Sequence, residues 1–221
     1  MGDHIRHGAV RRSYDTVAEE YTKRLHDELA GKPLDRALLA ALLEQTEPGT
    51  ALADLGCGPG HIAAHLASAG TGAEARDPVH TVGIDLSEGM LETGRNRYPG
   101  VEFRNGDLLA LPAGDGEFGA AVALYSFIHL SADELPTALA EARRVLRPGG
   151  LLLLAFHIGE ETRHLDEWWG HEVDVDFHFH DPVRVGELLE AAGFAVQMRM
   201  ERRHYAHEAD TRRAYLLARR A

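Results

Sequence analysis

The chain of 221 residues carries 35 acidic and 23 basic side chains, a net charge of −12 at pH 7, which excludes a nucleic-acid backbone as main partner because that binding rests on basic patches. Cys57 is the only cysteine, so neither a disulfide framework nor a thiolate metal cluster is available. No apolar run is long enough to span a bilayer and the first residues lack the apolar core of a signal peptide, so a cytoplasmic protein with no membrane partner is expected.

A single domain over residues 1–221 suits this length. Residues from about Ser13 to Gln45 read as helical, with Tyr14, Val17, Ala18 and Tyr21 at a spacing that puts both tyrosines on one face. A second helix from Asp35 carries Leu38, Leu39, Leu42 and Leu43, and Pro48-Gly49 ends it. Arginines pair at Arg11-Arg12, Arg202-Arg203, Arg212-Arg213 and Arg219-Arg220. They read as solvated surface, with contact to an acidic substrate as the alternative.

The next stretch, Ala51-Leu52-Ala53-Asp54-Leu55-Gly56-Cys57-Gly58-Pro59-Gly60, organises the rest. An apolar run with an acid near its end breaks into glycines at alternate positions, and helical spacing resumes with Ile62, Leu66 and Ala69. That is a strand, a tight turn and a helix, the opening of a parallel α/β sheet. Glycine permits positive φ and lets a ligand approach the main chain. The helix aims its free N–H groups at the same place. A dinucleotide fold wants G-x-G-x-x-G with a pyrophosphate on the helix. Here the spacing is G-x-G-x-G, and the Asp54 carboxylate ahead of it repels a pyrophosphate and suits a cation.

This stretch resembles motif I of the class I S-adenosylmethionine (SAM) methyltransferases. The resemblance implies an α/β fold: a Rossmann-like, doubly wound, seven-stranded sheet, mostly parallel with an antiparallel last strand. It implies SAM as cofactor and assigns Asp54, Gly56, Cys57, Gly58 and Gly60 to its cradle. Upstream, the Tyr14-Asp15…Ala18…Tyr21 pattern is similar to the helix that many small-molecule methyltransferases fold over SAM. Ordinary amphipathic packing is the other reading of Tyr14 and Tyr21.

The later motifs follow in the family's order. After a polar loop from Gly70 to His80, Thr81-Val82-Gly83-Ile84-Asp85 reads as a second strand ending in an acid. Asp85 is expected to hold both ribose hydroxyls, with Leu86 and Met90 beside it and Ser87 capping the next helix. Val101–Arg104 is a short third strand leading to Gly106-Asp107-Leu108. In the family an acid here holds the adenine amino group and the next backbone meets the ring, which assigns Gly106, Asp107 and Leu108.

Gly119–Tyr125 is an apolar fourth strand, with Gly119 where the family usually has an acid. Leu124 and Tyr125 end it on the ligand side, where they are expected to contact the cofactor. His129 follows as a wall of the cofactor pocket or a structural residue. Ser131-Ala132-Asp133-Glu134 is a capping box for a helix through Leu146. Arg147-Pro148-Gly149-Gly150, before a fifth strand from Leu151 to Phe156, again resembles the family.

From His157 to His180 the alternation collapses. Residues 158–181 are expected to form a cap insertion over the acceptor, as residues 1–48 cover the cofactor core at 51–157. Asp181-Pro182 starts a helix that Gly193 ends, and strands near Ala195–Met200 and Arg213–Ala218 complete the pattern within 182–221.

SAM brings an activated sulfonium carbon, so the protein must hold a nucleophile in line at about 3 Å and exclude water. A hydroxyl acceptor gains about 10²–10⁴-fold from a general base, and His157, just past strand five, is the candidate. Trp168 and Trp169 suit a wall for a flat acceptor, or core. His178 and His180, at alternate positions, line the substrate pocket or simply pack. A Zn or Fe site with Asp176 or Asp181 is the weaker reading, and no metal is adopted. The expected function is SAM-dependent methylation of a small-molecule acceptor, first at oxygen, otherwise at nitrogen or carbon. A homodimer is left open. The rivals are a non-catalytic SAM-fold binding protein, with the histidine-rich insertion as interaction surface, and a dinucleotide-dependent oxidoreductase.

Overall fold

A computed structural model describes residues 2–68 and 79–221, with side chains from residue 7. Ala69 and the expected Gly70–His80 loop as far as residue 78 lie outside the described residues. The helices are α1 (Gly2–Leu25), α2 (Pro33–Gln45), α3 (His61–Ser68), α4 (Glu88–Arg97), α5 (Leu135–Val145) and α6 (Pro182–Ala191). The strands are β1 (Ala51–Leu55), β2 (Thr81–Asp85), β3 (Glu102–Asn105), β4 (Phe118–Leu124), β5 (Leu146–His157), β6 (Thr162–Trp168), β7 (His171–His178), β8 (Phe194–Arg202) and β9 (Arg213–Arg220).

Seven strands join in the order β3-β2-β1-β4-β5-β9-β8. The first five are parallel, and β9 runs antiparallel between β5 and β8. The expected Rossmann-like sheet is therefore what forms. Alternate residues feed two cores. Ala53, Leu55, Ile84 and Leu152 pack with Leu139 of α5 and Leu189 of α6. Leu52, Val122 and Leu153 pack with Leu39 and Leu42 of α2 and with Ile62 and Leu66 of α3. Full burial of each such leucine or isoleucine contributes about 1.5–3 kcal/mol. Because strand order reverses between β1 and β4, a crevice opens at their carboxyl ends, where such sheets take ligands.

Several local readings are corrected. The first helix begins at Gly2, well before Ser13. The 158–181 insertion is a β-hairpin, β6 with β7, separate from the main sheet. Helix α5 starts at Leu135, because the Ser131 hydroxyl donates to Glu134 at 2.8 Å rather than accepting a helix N–H. The other half of the box holds, with Ser131 N–H on Glu134 at 2.7 Å. At Gly119, already noted as a departure from the family's usual acid, a Cβ would lie 2.0 Å from the Thr50 hydroxyl oxygen. Among the described residues no helix is long and apolar enough to cross a membrane.

Helix α1 lies between the core and the hairpin. Val10, Val17 and Ala18 pack with Met90 of α4 and with Val173 and Val175 of β7. Asp15 accepts the Ser87 hydroxyl at 2.6 Å and Gly89 N–H at 3.0 Å, so α1 helps cap α4. Ser87 does so as expected, accepting Met90 N–H at 3.1 Å. On the hairpin side, the Ser13 hydroxyl accepts Asp174 N–H at 2.8 Å.

Candidate active site

A cavity of about 910 Å³ opens over the carboxyl ends of β1, β2, β4 and β5. That is near the top of the usual range for small-molecule sites, about 300–1,000 Å³, and leaves room for two ligands. Its floor is the glycine turn. Gly56 and Cys57 N–H groups bond to the Ile84 carbonyl at 2.7 and 3.0 Å, which folds the turn over the end of β2. Gly58, at φ +53°, faces the cavity, and a Cβ there would meet only the Tyr21 ring, at 3.9 Å. The missing side chain leaves room for a ligand against the backbone.

Asp85 holds this cradle. One carboxylate oxygen accepts Gly58 N–H at 2.7 Å and the other accepts Ser87 N–H at 2.9 Å. Each oxygen keeps capacity for a further donor. Burial raises its pKa, while the Ser87 and Gly58 donors oppose that rise. Asp54 is 2% exposed and accepts Ala63 N–H at 3.0 Å, near the start of α3. Burial pushes its pKa up to about 7, and the Asp85 charge adds to the rise. Burial also raises the Cys57 thiol well above its ordinary value, which suits packing rather than reaction.

At the β2–β3 side, Leu86, Gly106, Asp107 and Leu108 line the cavity. Asp107 accepts Leu109 N–H at 2.9 Å and meets His7 Nδ1 at 3.0 Å. The other His7 nitrogen lies 3.0 Å from Glu134. Nothing in the sequence marked His7, which reaches this acid only because α1 begins early. The roof is aromatic: Tyr14 and Tyr21 meet Trp168 edge-on with centroids at 5.5 and 5.8 Å, and Trp168 lies 4.9 Å from Trp169. His129 and Phe177 complete this lining.

The opposite end, beneath β4 and β5, is polar. Leu124, Tyr125 and His157 line it, joined by Glu28, Lys32, Asp35, Glu208 and Arg213. Lys32 bonds to Glu28 at 2.6 Å, and Glu28 also meets His61 at 2.9 Å. Burial pulls the Glu28 pKa up, but His61 and Lys32 outweigh it and hold it at about 2. The His157 ring lies between Tyr125 and Phe179, with centroids at 5.2 Å on each side. Its Nδ1 is 2.8 Å from the Thr211 hydroxyl.

Comparison with known proteins agrees with this geometry. Residues 52–150 match the family described as "Methyltransferase domain". This segment is similar to methyltransferase domains, and it sits on a sheet of Rossmann-like order. The chain is 33% identical over 144 residues to a demethylmenaquinone methyltransferase of Beutenbergia cavernae, covering 64% of this chain and 55% of that one. It is 34% identical over 195 residues to a malonyl-[acyl-carrier protein] O-methyltransferase of Dechloromonas aromatica, covering 84% and 65%. The chain thus spans between about half and two thirds of the length of these curated relatives. Among solved structures, the magnesium protoporphyrin IX methyltransferase of Synechocystis with bound SAM superposes with a TM-score of 0.73, at 16% identity, over 98% of this chain and 97% of that one. At that identity the likeness concerns the fold.

The sheet and the elements over it bring together most residues singled out by sequence, but not all. Gly60 and Met90 do not line the cavity. Gly60 is needed for packing, since a Cβ would lie 2.5 Å from the Phe103 ring. Met90 is fully buried under α1. His178 and His180 do not line the cavity either. His178, at the end of β7, bonds to the Thr162 hydroxyl at 2.9 Å. His180 lies past the strand, buried against Phe156 and 3.2 Å from the Phe127 carbonyl. The two rings have different hydrogen-bond partners. No group of three His, Cys, Asp or Glu able to hold a metal occurs among the described residues.

Two arginines read as surface turn inward. Arg202 pairs with Glu208 and Asp35, and Arg213 is 3% exposed. At the end of β8 and the start of β9, alternation sends one member of the pairs Arg202-Arg203 and Arg212-Arg213 inward. That period was legible; which member points inward was not.

Proposed function

We propose that the protein transfers the methyl group of SAM to a hydroxyl group of a small-molecule acceptor. The observation that carries this reading is Gly58: its vacant Cβ position opens into the cavity beside buried Asp54, and its N–H is held by Asp85. A cradle flanked by carboxylates suits a cationic nucleoside and disfavours a pyrophosphate. Asp85 would take the ribose, and Asp107 with the Leu108 backbone the adenine. When bound, SAM supplies a methyl carbon already activated for displacement. The aromatic roof of Tyr14, Tyr21 and Trp168 supports the reading, because ring faces attract cations.

The chain's own contribution is placement and dryness. Tyr14, Tyr21, Trp168 and Trp169 close the cavity from above and exclude water. Tyr125 and His157, at the ends of β4 and β5, stand at the acceptor side. Burial, followed by the Arg213 charge, pushes the His157 pKa down to about 4. Its imidazole is therefore neutral at pH 7 and a weak base, and we assign it first to positioning the acceptor.

Calorimetry with SAM, S-adenosylhomocysteine and NAD tests the cofactor: the first two bind, and tight binding of NAD alone would reject the assignment. Methyl transfer to a panel of phenols, alcohols, carboxylic acids and amines tests the acceptor class. Binding of SAM without transfer to any of them would favour a non-catalytic protein.

A further inference from the structure

We propose that Tyr125, Tyr215 and Asp35 form a proton path leading from the acceptor hydroxyl into the protein, with Tyr125 touching the acceptor and the other two acting through it. The inference rests on the methyl-transfer reading above. It begins with Tyr125, whose φ is +58°. A bulky residue seldom occupies the left-handed region, and such strain gathers at functional sites. Here it accompanies a ring set against His157, at 5.2 Å, and beneath the Lys32 ammonium, at 5.3 Å from the ring centre.

The Tyr125 hydroxyl lies 3.0 Å from that of Tyr215 on β9. Tyr215 is fully buried, and its hydroxyl donates to Asp35 on α2, with oxygens at 3.1 and 3.2 Å. Arg202 Nε–H donates to the same hydroxyl at 3.0 Å, while Arg202 Nη2 reaches Asp35 at 3.3 Å. Lys32 and Arg202 face Asp35 as cations, with Glu208 as the opposing anion.

The direction of every proton follows from what each group can do. A carboxylate only accepts and a guanidinium only donates. Tyr215 gives its single proton to Asp35, and its two lone pairs receive Arg202 and Tyr125. Tyr125 has therefore committed its own proton to Tyr215. Its oxygen is left as an acceptor at the cavity wall, and among the described residues none donates to it. A ligand atom that meets it must bring a proton. That selects an O–H nucleophile over an ether, an ionised carboxylate or a carbon acid.

The step balances. As the acceptor oxygen bonds to the methyl carbon, the carbon–sulfur bond breaks with its electron pair on sulfur. The acceptor's proton passes to Tyr125, that of Tyr125 to Tyr215, and that of Tyr215 to Asp35, which ends as a neutral carboxylic acid. Arg202 keeps Glu208, at 2.6 and 2.9 Å, while Asp35 is neutral. Water then removes the proton from Asp35.

The test uses Tyr215→Phe and Asp35→Asn in the full chain, with circular dichroism to confirm folding. Expected are unchanged SAM affinity by calorimetry and, with the best hydroxyl acceptor of the panel, kcat about a hundredfold lower at nearly constant KM. A second arm needs no turnover. With S-adenosylhomocysteine present, the wild type should bind phenol about tenfold more tightly than anisole. Tyr215→Phe frees the Tyr125 proton to point at the ligand, so that preference should vanish. Folded variants with wild-type kcat and an intact phenol preference would overturn the path. Failure of the wild type to bind SAM or to methylate anything would instead reject the functional reading, and the phenol–anisole comparison would still decide the hydroxyl's polarity.

Discussion

The Tyr14 hydroxyl donates to Nε2 of His129 across 2.7 Å, and the tautomer that allows this is fixed from the far side of the ring. His129 Nδ1 lies 3.0 Å from the Asp176 carbonyl. A carbonyl accepts only, so Nδ1 carries the proton and Nε2 offers its lone pair. One neutral imidazole thus ties α1, the loop after β4 and the hairpin together over the cavity. Burial is the main reason that its pKa falls to about 4.

Tyr14→Phe removes that donor and leaves a buried nitrogen unpaired, which costs about 1–3 kcal/mol. In a chain of this size that is a drop of about 2–4 °C per kcal/mol in Tm. Cofactor affinity should fall with it, because α1 is the roof. Thermal unfolding and calorimetry measure both, and an unchanged Tm would show that the bond contributes nothing.

Asp54→Asn should separate stability from binding. The folded chain holds the Asp54 proton up to about pH 7, whereas the ordinary value is 3.8. Between those pH values the folded state binds the proton that the unfolded chain has released, so this group's contribution to stability falls as pH rises and stays low above 7. Asparagine is neutral throughout and can still accept Ala63 N–H. The variant should be more stable than wild type at pH 8, by at most about 4 kcal/mol, with the gap closing toward pH 4. It should also bind SAM at least about tenfold more weakly. Denaturant titrations at pH 5 and 8 check the first half, and a variant less stable at pH 8 would contradict it.

The glycines at 58 and 60 should respond differently to the same change. Gly60→Ala drives a Cβ into Phe103, at 2.5 Å, from a backbone at φ +80°, and should cost about 2–4 kcal/mol by strain and overpacking. Gly58→Ala, with open space at its Cβ, should cost only the left-handed strain, about 1–2 kcal/mol. That methyl would occupy the ligand's place, so SAM affinity should drop sharply in a protein that still folds. Equal losses of stability would put the two glycines in one role.

Asp85→Ala takes the acceptor from Gly58 and Ser87 N–H groups and from the ribose together. Hydrogen bonds to a charged group contribute about 1.5–3 kcal/mol each, so SAM affinity should fall about a hundredfold or more. Unchanged affinity would refute the ribose assignment.

Much of the fold was legible because its signals are local. The apolar runs of β1, β2 and β4, the glycines between β1 and α3 and the acid ending β2 each follow from backbone sterics and burial within a few residues. Together they fixed a parallel sheet and pointed to the crevice. Asp85 could be found because it ends a strand beside a glycine turn. The hairpin at 162–178 was missed although Val173, Val175 and Phe177 alternate with acids on β7, because its partner β6 has no buried residue and shifts register between Leu165 and Glu167, so that no second strand of period two stands beside it.

The polar end of the cavity shows the limit. Tyr125 and His157 could be placed from sequence because they end apolar strands. Asp35, Tyr215, Arg202 and Arg213 could not, since they are distant in sequence and their charges look like surface. Sequence alone determined the sheet and the glycine turn, because short-range sterics and hydrophobic period dictate them, while the cofactor was implied by the resemblance of the motifs. Only the tertiary structure decided which polar groups face one another across the cavity, because strand alternation and sheet order set the direction of each side chain, and hydrogen-bond complementarity acts only once they meet.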